Sequence, residues 1–152
     1  YLEYLDLSVS NVQAKNWLQE IIKLPNLREL YLSFCQLPVV IPSSLVSANI
    51  SFSRLSTLDI SGNRYLSPAM FRWLFNFTSL TSLDLSNNFL DQIDSGFGYM
   101  RSLEHLKLSA NGIQGGIPKS FRNLSRLCSL DARYNNLSQP FPELLDILSG
   151  SM

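Results

Sequence analysis

Residues 103–127 read LEHLKLSANGIQGGIPKSFRNLSRL, and the first nine positions decide the fold class. Leucines stand at positions 103, 106 and 108, and Asn111 completes the spacing Leu-x-x-Leu-x-Leu-x-x-Asn. In an extended strand side chains alternate between two faces, so Leu106 and Leu108 share one face while Lys107 takes the other. The pattern predicts a short strand that is buried on one face and turns where Asn111 stands.

The same spacing occurs six times in the 152 residues. Its leading leucines are Leu2, Leu27, Leu55, Leu80, Leu103 and Leu127. One such unit cannot bury its apolar edge alone, so adjacent copies stack into a continuous parallel sheet. Over essentially its whole length the sequence resembles leucine-rich repeat proteins. This resemblance implies an α/β solenoid, a horseshoe arc with a parallel concave β-sheet and short helical or 3-10 turns on its convex side.

The segments between strands carry a second apolar pattern. Apolar residues stand ten, six and three positions before the next leading leucine, and spacings of four and three have a helical period. We therefore expect helical turns, most clearly in Asn16–Lys23 and Pro68–Phe75. In the last segment the pattern falls on Phe141, Leu145 and Leu148.

The asparagine that follows each strand predicts a ladder of side-chain amides. An amide can both donate to and accept from the backbone of a turn, and stacked copies repeat that bonding. The ladder position is filled in repeats three to six by Asn63, Asn88, Asn111 and Asn135. Cys35, a tolerated alternative, fills it in repeat two, and Ser10 leaves the first turn less well determined.

Composition excludes several classes of protein. Twelve Lys and Arg balance twelve Asp and Glu, which argues against a nucleic-acid binder that needs clustered positive charge. Apolar runs are much shorter than a membrane span. Neither end shows the atypical capping repeat that closes a solenoid. We expect a single array over residues 1–152, forming an uncapped stretch of a longer solenoid.

Residues 103–127 resemble the plant-specific repeat LxxLxLSxNxLxGxIPxxFxNLxxL at almost every position. The residues that supply its LxGxIP element are Ile113, Gly115, Ile117 and Pro118. Weaker copies lie at Leu37–Pro42 and Leu137–Pro142, and repeats one, three and four lack the element. The extra strand that this element usually forms beside the main sheet is therefore expected to be discontinuous.

The N-terminal residues, LEYLDLS and NWLQEIIKLPNLRELYLSFCQL, resemble plant receptor-like proteins, notably the receptors for fungal ethylene-inducing xylanase. The resemblance implies a non-catalytic part of an extracellular domain at the plasma membrane. It implies a protein or peptide ligand bound on the concave face, co-receptor kinases as signalling partners, and a role in defence or development. Any membrane anchor is expected outside this chain.

Three alternatives use similar repeats. A receptor kinase ectodomain would differ by a kinase domain elsewhere in the gene. A secreted inhibitor of microbial cell-wall hydrolases, such as the polygalacturonase-inhibiting proteins, has about ten regular repeats; the 28-residue spacing from Leu27 to Leu55 counts against it. An intracellular immune-receptor repeat domain would leave every glycosylation sequon unmodified.

Four sequons point to an extracellular compartment, and they begin at Asn49, Asn76, Asn123 and Asn136. Asn76 and Asn123 lie four residues before a leading leucine, where a glycan would leave the concave sheet clear. Asn136 belongs to the repeat's own turn and is the weakest candidate. Cys35 and Cys128 are four repeats apart, about 20 Å, too far for a disulfide; we expect free thiols, with Cys35 buried.

The outward strand positions form the predicted binding surface. Down its middle run Asp6, Tyr31, Asp59, Asp84, Lys107 and Asp131. An acidic stripe for a basic ligand is one interpretation; the other is that LDLS is ordinary strand sequence in plant repeats, and we favour it. Residues that depart from LDLS are better contact candidates, because aromatic residues and Arg supply most interface energy. The candidates are Tyr4, Arg28, Tyr31 and Phe34 at one end, and His105, Lys107, Arg133 and Tyr134 at the other.

The sequence gives little support for an enzyme, a cofactor or a metal site. His105 is the one histidine, and there is no nucleophile elbow, phosphate-binding glycine loop or Cys/His set with metal spacing. His105, Asp84 and a nearby serine could be drawn as a triad. An open sheet, however, offers no pocket and no oxyanion hole.

Overall fold

The computed structural model describes residues 1–12, 17–21, 23–37, 54–64, 66, 70 and 73–150. In chain order its elements are β1 (Tyr4–Asp6), α1 (Trp17–Ile21), β2 (Glu29–Tyr31), β3 (Thr57–Asp59), β4 (Ser82–Asp84), a first 3-10 helix (Ser95–Tyr99), β5 (His105–Lys107), β6 (Gln114–Gly115), a second 3-10 helix (Lys119–Asn123), β7 (Ser129–Asp131), β8 (Asn136–Leu137) and α2 (Phe141–Leu148). In these residues no helix is long and apolar enough to cross a bilayer.

Six strands form one parallel sheet in the order β1-β2-β3-β4-β5-β7. The register aligns the second leucine of every repeat, and those residues are Leu5, Leu30, Leu58, Leu83, Leu106 and Leu130. The four inner leucines are fully buried, whereas Leu5 and Leu130 are half-buried because β1 and β7 each have one neighbouring strand. Each strand begins two residues after the leading leucine. The solenoid predicted from the leucine spacing is confirmed.

The asparagine ladder is present and bridges neighbouring repeats. Buried Asn63 shows the pattern: its Oδ1 accepts from the amides of Cys35 and Leu37, both at 3.1 Å. Its Nδ2 donates to the carbonyls of Leu32 at 2.8 Å and Ile60 at 2.9 Å. Asn111 repeats all of these bonds one repeat after Asn88. Asn88 and Asn135 repeat both donated bonds, and among the described residues each accepts one amide, from Asn63 and Ile113 respectively.

Cysteine substitutes for only half of this bonding. The buried Cys35 Sγ donates to the carbonyl of Leu7 at 3.0 Å, as Asn63 Nδ2 does to Leu32 one repeat later. A thiol has no strong acceptor to match Oδ1. Ser10 makes a weaker local contact, with its Oγ 3.5 Å from the carbonyl of Ser8.

The convex side consists of short helical turns, as the apolar spacing predicts. α1 lies inside the predicted Asn16–Lys23 stretch, and the two 3-10 helices pack side by side. Phe97 and Phe121 meet edge to face there, with ring centroids 6.2 Å apart. Half of the predicted Pro68–Phe75 helix lies outside the described residues; of the rest, Met70 and residues 73–74 are helical.

The last segment forms the helix α2, in keeping with the helical period of its apolar residues. The residues of that pattern, Phe141, Leu145 and Leu148, are exposed, Phe141 by 70%. Instead α2 presents Leu144 and Ile147 to the core. Both sets fit a helical period, and the contact between α2 and the second 3-10 helix selects the second set.

A second sheet runs beside the main one. It pairs β6 with β8 in parallel, so the described residues contain this extra strand in repeats five and six. Gln139, which replaces the glycine of the plant motif, accepts from the Ile117 amide through Oε1 at 2.9 Å. The weaker copy in repeat two lies outside the described residues beyond Leu37.

Candidate ligand-binding surface

The concave surface is a six-strand sheet whose outward positions are aligned by register. The pairing joins Asp6 to Tyr31, Tyr31 to Asp59, and then continues to the last strand through Asp84, Lys107 and Asp131. The central row predicted from the repeat spacing is therefore continuous.

The aspartates of this row have a structural role. Oδ1 of Asp6 and of Asp59 accepts the backbone N–H two residues later at 2.9 Å, and Asp84 does the same at 3.0 Å. The bond from the Ser8 amide is the main reason that the pKa of Asp6 lies below its ordinary value. Each carboxylate thus stabilises the end of its own strand. This favours the interpretation of LDLS as strand sequence over a dedicated acidic stripe.

At the N-terminal end of the sheet, two of the candidate residues touch. The ring centroids of Tyr4 and Tyr31 lie 5.4 Å apart. The Tyr31 hydroxyl donates to Glu29 Oε2 at 2.9 Å, and burial followed by this bond raises the pKa of Tyr31 to about 12. Arg28 lies beside them and pairs with Glu3, Nε to Oε2, at 3.6 Å.

At the opposite end, the candidate cations are neutralised by their neighbours. Lys107 Nζ lies 3.2 Å from Asp84 Oδ2. Arg133 donates two hydrogen bonds to Asp131, from Nε at 2.9 Å and from Nη2 at 2.8 Å, and these bonds lower the pKa of Asp131 to about 2. His105 is exposed on the same strand as Lys107, two residues before it.

The last outward residue of every repeat has left-handed backbone. These residues are Val9, Phe34, Gly62, Asn87, Ala110 and Tyr134, with φ between 53° and 68°. The turn carries the candidates Phe34 and Tyr134 to the edge formed by the C-terminal ends of the strands, where both are exposed. Phe34 rests on the next repeat, since a Cβ on Gly62 would stand 2.5 Å from its ring. The eight candidates therefore form one group on the first two strands of the sheet and a second group on the last two. In each group one residue, Phe34 or Tyr134, lies where its strand ends.

Two residues outside the predicted set, Arg64 and Phe89, lie immediately after the ladder asparagines of repeats three and four. The Arg64 guanidinium carbon lies 5.5 Å from the centroid of the Phe89 ring. Phe89 is 67% exposed and has φ of 55°. The available signal was an arginine and an aromatic residue at the same position of adjacent repeats, just beyond the positions counted as outward.

The described sequons are open to solvent. Asn76, Asn123 and Asn136 are exposed, and Asn49 lies outside the described residues. Asn76 and Asn123 lie on the return side, away from the concave sheet, whereas Asn136 is in β8. Both cysteines are free, Cys35 buried and Cys128 exposed, as expected from their separation.

The chemistry of the surface suits recognition. Exposed tyrosine and phenylalanine rings supply apolar contact, and the paired cations supply hydrogen-bond donors. Within the described residues, no three His, Cys, Asp or Glu side chains are grouped to hold a metal ion.

Comparison with known proteins places the sequence among plant receptors. Models described as leucine rich repeat match residues 26–48, 53–113 and 78–137. The chain is 49% identical to Receptor-like protein EIX2 of Solanum lycopersicum over 91% of its own length, and it spans 14% of that protein. The resemblance to plant receptor-like proteins is thereby confirmed.

Solved receptor ectodomains share the fold. The ectodomain of the Arabidopsis thaliana receptor kinase GASSHO1/SCHENGEN3, in complex with CASPARIAN STRIP INTEGRITY FACTOR 2, superposes with a TM-score of 0.72 at 30% identity over 97% of this chain and 17% of its own. The Arabidopsis receptor kinase HAESA, in complex with the peptide hormone IDA and the co-receptor SERK1, gives 0.69 at 27% identity, covering 99% of this chain and 25% of its own.

Proposed function

Since this chain belongs to the leucine-rich repeat family, we propose that it is a ligand-recognition stretch of the extracellular domain of a plant cell-surface receptor-like protein. Its concave face binds a protein or peptide ligand in defence or developmental signalling, without catalysis. The observation that carries this proposal is the 49% identity to a tomato receptor-like protein over 91% of the chain. The aligned outward rows of the six-strand sheet supply the surface.

The array is part of a longer solenoid. The chain covers 14% of its tomato relative, and α2 exposes Phe141, Leu145 and Leu148, an apolar stripe that a stacked repeat would bury. Exposed Asn76 and Asn123 carry N-linked glycans, which leave the concave sheet uncovered. The full protein lies on the outer side of the plasma membrane, anchored by a segment elsewhere in it, and signals through co-receptor kinases.

A receptor kinase ectodomain is the second candidate, because GASSHO1/SCHENGEN3 and HAESA share the fold at TM-scores of 0.72 and 0.69. The identity to receptor-like protein EIX2, 49% against 30% for GASSHO1/SCHENGEN3, favours the first candidate. Reading the full gene decides between them, since a kinase domain after the membrane span would establish the second.

The LxLS motif of the strands offers a direct test of ligand binding by the concave face. The substitution Tyr31→Asn completes a sequon with Leu32 and Ser33, and Lys107→Asn completes one with Leu108 and Ser109. Each places a glycan on the central outward row of the sheet. The matched controls Tyr31→Gln and Lys107→Gln change the same side chains without adding a sequon.

The full-length receptor is expressed in leaves and tested with purified fungal xylanase, the first probe suggested by the resemblance, and then with fractionated fungal secretions. Peptide mapping should find glycans at positions 31 and 107 of the Asn variants and at Asn76 and Asn123. Ligand binding should fall much further in each Asn variant than in its Gln control, because only the Asn variant adds a glycan to the altered side chain. Unmodified Asn76 and Asn123, or full ligand binding with glycans in place at positions 31 and 107, would refute the proposal.

A further inference from the structure

The described cations of the strand face are paired with carboxylates. Arg28, Lys107 and Arg133 each lie within 3.6 Å of an acidic side chain. Arg126 is bound to Glu104 in the same way. These charges are satisfied internally, and a surface pair in water contributes little further attraction to a ligand.

Arg64 differs from these cations. All twelve acidic residues of the chain lie in the described segments, and none of the ion pairs found there involves Arg64. Its guanidinium is instead stacked 5.5 Å from the Phe89 ring centroid. A guanidinium that lies on an aromatic face keeps its N–H edge free for bidentate bonding to a carboxylate, and stacking limits the rotamers lost on binding.

An apolar contact lies beside this group. Phe34 is 55% exposed and its ring covers Gly62, two residues before Arg64. Gly62 is the one glycine among the six left-handed edge positions, and a side chain there would displace the ring. Phe34, Arg64 and Phe89 belong to three successive repeats, and strands about 4.8 Å apart place them within roughly 10 Å.

We propose that Phe34, Arg64 and Phe89 form a carboxylate-binding edge that recognises a peptide acid group next to an apolar side chain. Arg64, oriented by Phe89, binds the carboxylate, and Phe34 covers the neighbouring apolar group. The edge lies beside the concave sheet, at the C-terminal ends of its strands. The inference rests on the proposed function, since it names the chemistry of the ligand and where part of it binds.

The test uses the full-length receptor and three N-terminally biotinylated peptides on a sensor surface. The first is Gly-Ser-Gly-Leu-Phe with a free C-terminal carboxylate, the second is its C-terminal amide, and the third is Gly-Ser-Asp-Leu-Phe amide. We expect one or both acid-bearing peptides to bind about three- to tenfold more tightly than the neutral amide. Preference for the first identifies a chain terminus as the ligand group; preference for the third identifies an acidic side chain.

Variants connect the preference to the edge. Arg64→Gln should abolish it, while Arg101→Gln, which removes an exposed arginine from the return side, should keep it. Phe34→Ser should weaken all three peptides alike. Equal binding of acid and amide by the wild type, no binding of any peptide, or a preference that survives in Arg64→Gln would overturn the inference.

Failure of this inference can be distinguished from failure of the proposed function. If glycans at positions 31 and 107 block the protein ligand while the peptides show no acid preference, only the carboxylate edge is refuted. If the acid preference depends on Arg64 while both glycans leave protein binding intact, the edge stands and the concave-face proposal fails.

Discussion

Replacing Asn63 by alanine tests whether the ladder holds adjacent repeats together. The buried Oδ1 accepts the amides of Cys35 and Leu37, both at 3.1 Å, and alanine leaves these two buried N–H groups without an acceptor. Each unsatisfied donor costs about 1–3 kcal/mol, so Asn63→Ala should lower the free energy of unfolding by about 2–6 kcal/mol. The carbonyls of Leu32 and Ile60 also lose a donor.

Urea denaturation followed by circular dichroism gives the global loss, and hydrogen exchange gives the local one. Exchange should accelerate most at the amides of Cys35 and Leu37. Asn63→Cys should fall between wild type and alanine, because a thiol replaces the donor, as Cys35 does, but not the acceptor.

The matched control is Asn135→Ala at the last ladder position. Asn135 is half-buried and its Oδ1 accepts one amide, from Ile113 at 3.2 Å, so the loss should be about 1–3 kcal/mol. The reasoning fails if Asn63→Ala costs less than about 1 kcal/mol, or no more than Asn135→Ala, or if Cys35 and Leu37 keep wild-type protection.

Three further perturbations address the core, the charges and the convex side. Leu83→Ala empties a fully buried site and should cost about 2–5 kcal/mol in urea denaturation. Arg133→Gln should raise the pKa of Asp131 from about 2 toward its ordinary value in carbon NMR titration; the stability from the lowered pKa is present above about pH 4 and lost as pH falls toward 2. Gly98→Ala puts a Cβ 2.6 Å from the Ser120 carbonyl oxygen and should cost about 1–3 kcal/mol, seen as a lower Tm.

Each of these has a matched control. Leu130→Ala, at a half-buried copy of the same position, should cost less than Leu83→Ala. Arg101→Gln should leave the pKa of Asp131 unchanged, and Gly112→Ala, whose Cβ would make an ordinary 3.5 Å contact with the Leu90 carbonyl, should leave Tm near wild type. Equal effects in a variant and its control would contradict the corresponding assignment.

Strand positions and the ladder followed from the sequence because both depend on local spacing. Alternation along a strand assigns Leu106 inward and Lys107 outward whatever the rest of the chain does. The ladder follows from the chemistry of a single amide. Burial of Cys35 was predicted from its ladder position, and the second-sheet strands of repeats five and six agree with the resemblance to the plant repeat.

The edge of the sheet could not be predicted in this way. Its residues are directed by left-handed backbone at positions such as Phe34 and Phe89, where no glycine marks the conformation. The pair of Lys107 with Asp84 on the adjacent strand depends on register, and the pair of Arg133 with Asp131, two residues earlier, depends on side-chain conformation. Which face of α2 meets the core could not be predicted, because two apolar stripes fit one helical period and only the neighbouring repeat selects between them.

The most direct test of concave-face recognition is hydrogen exchange of the full-length receptor, with and without fungal xylanase or the secreted protein that the wild type retains. Ligand should slow exchange in peptides that cover residues 28–34, 56–62, 81–87 and 104–110. Peptides that cover the return segments 73–78, 95–100 and 119–124 should be unchanged. Slower exchange confined to those return segments, with unaffected strands, would contradict the account.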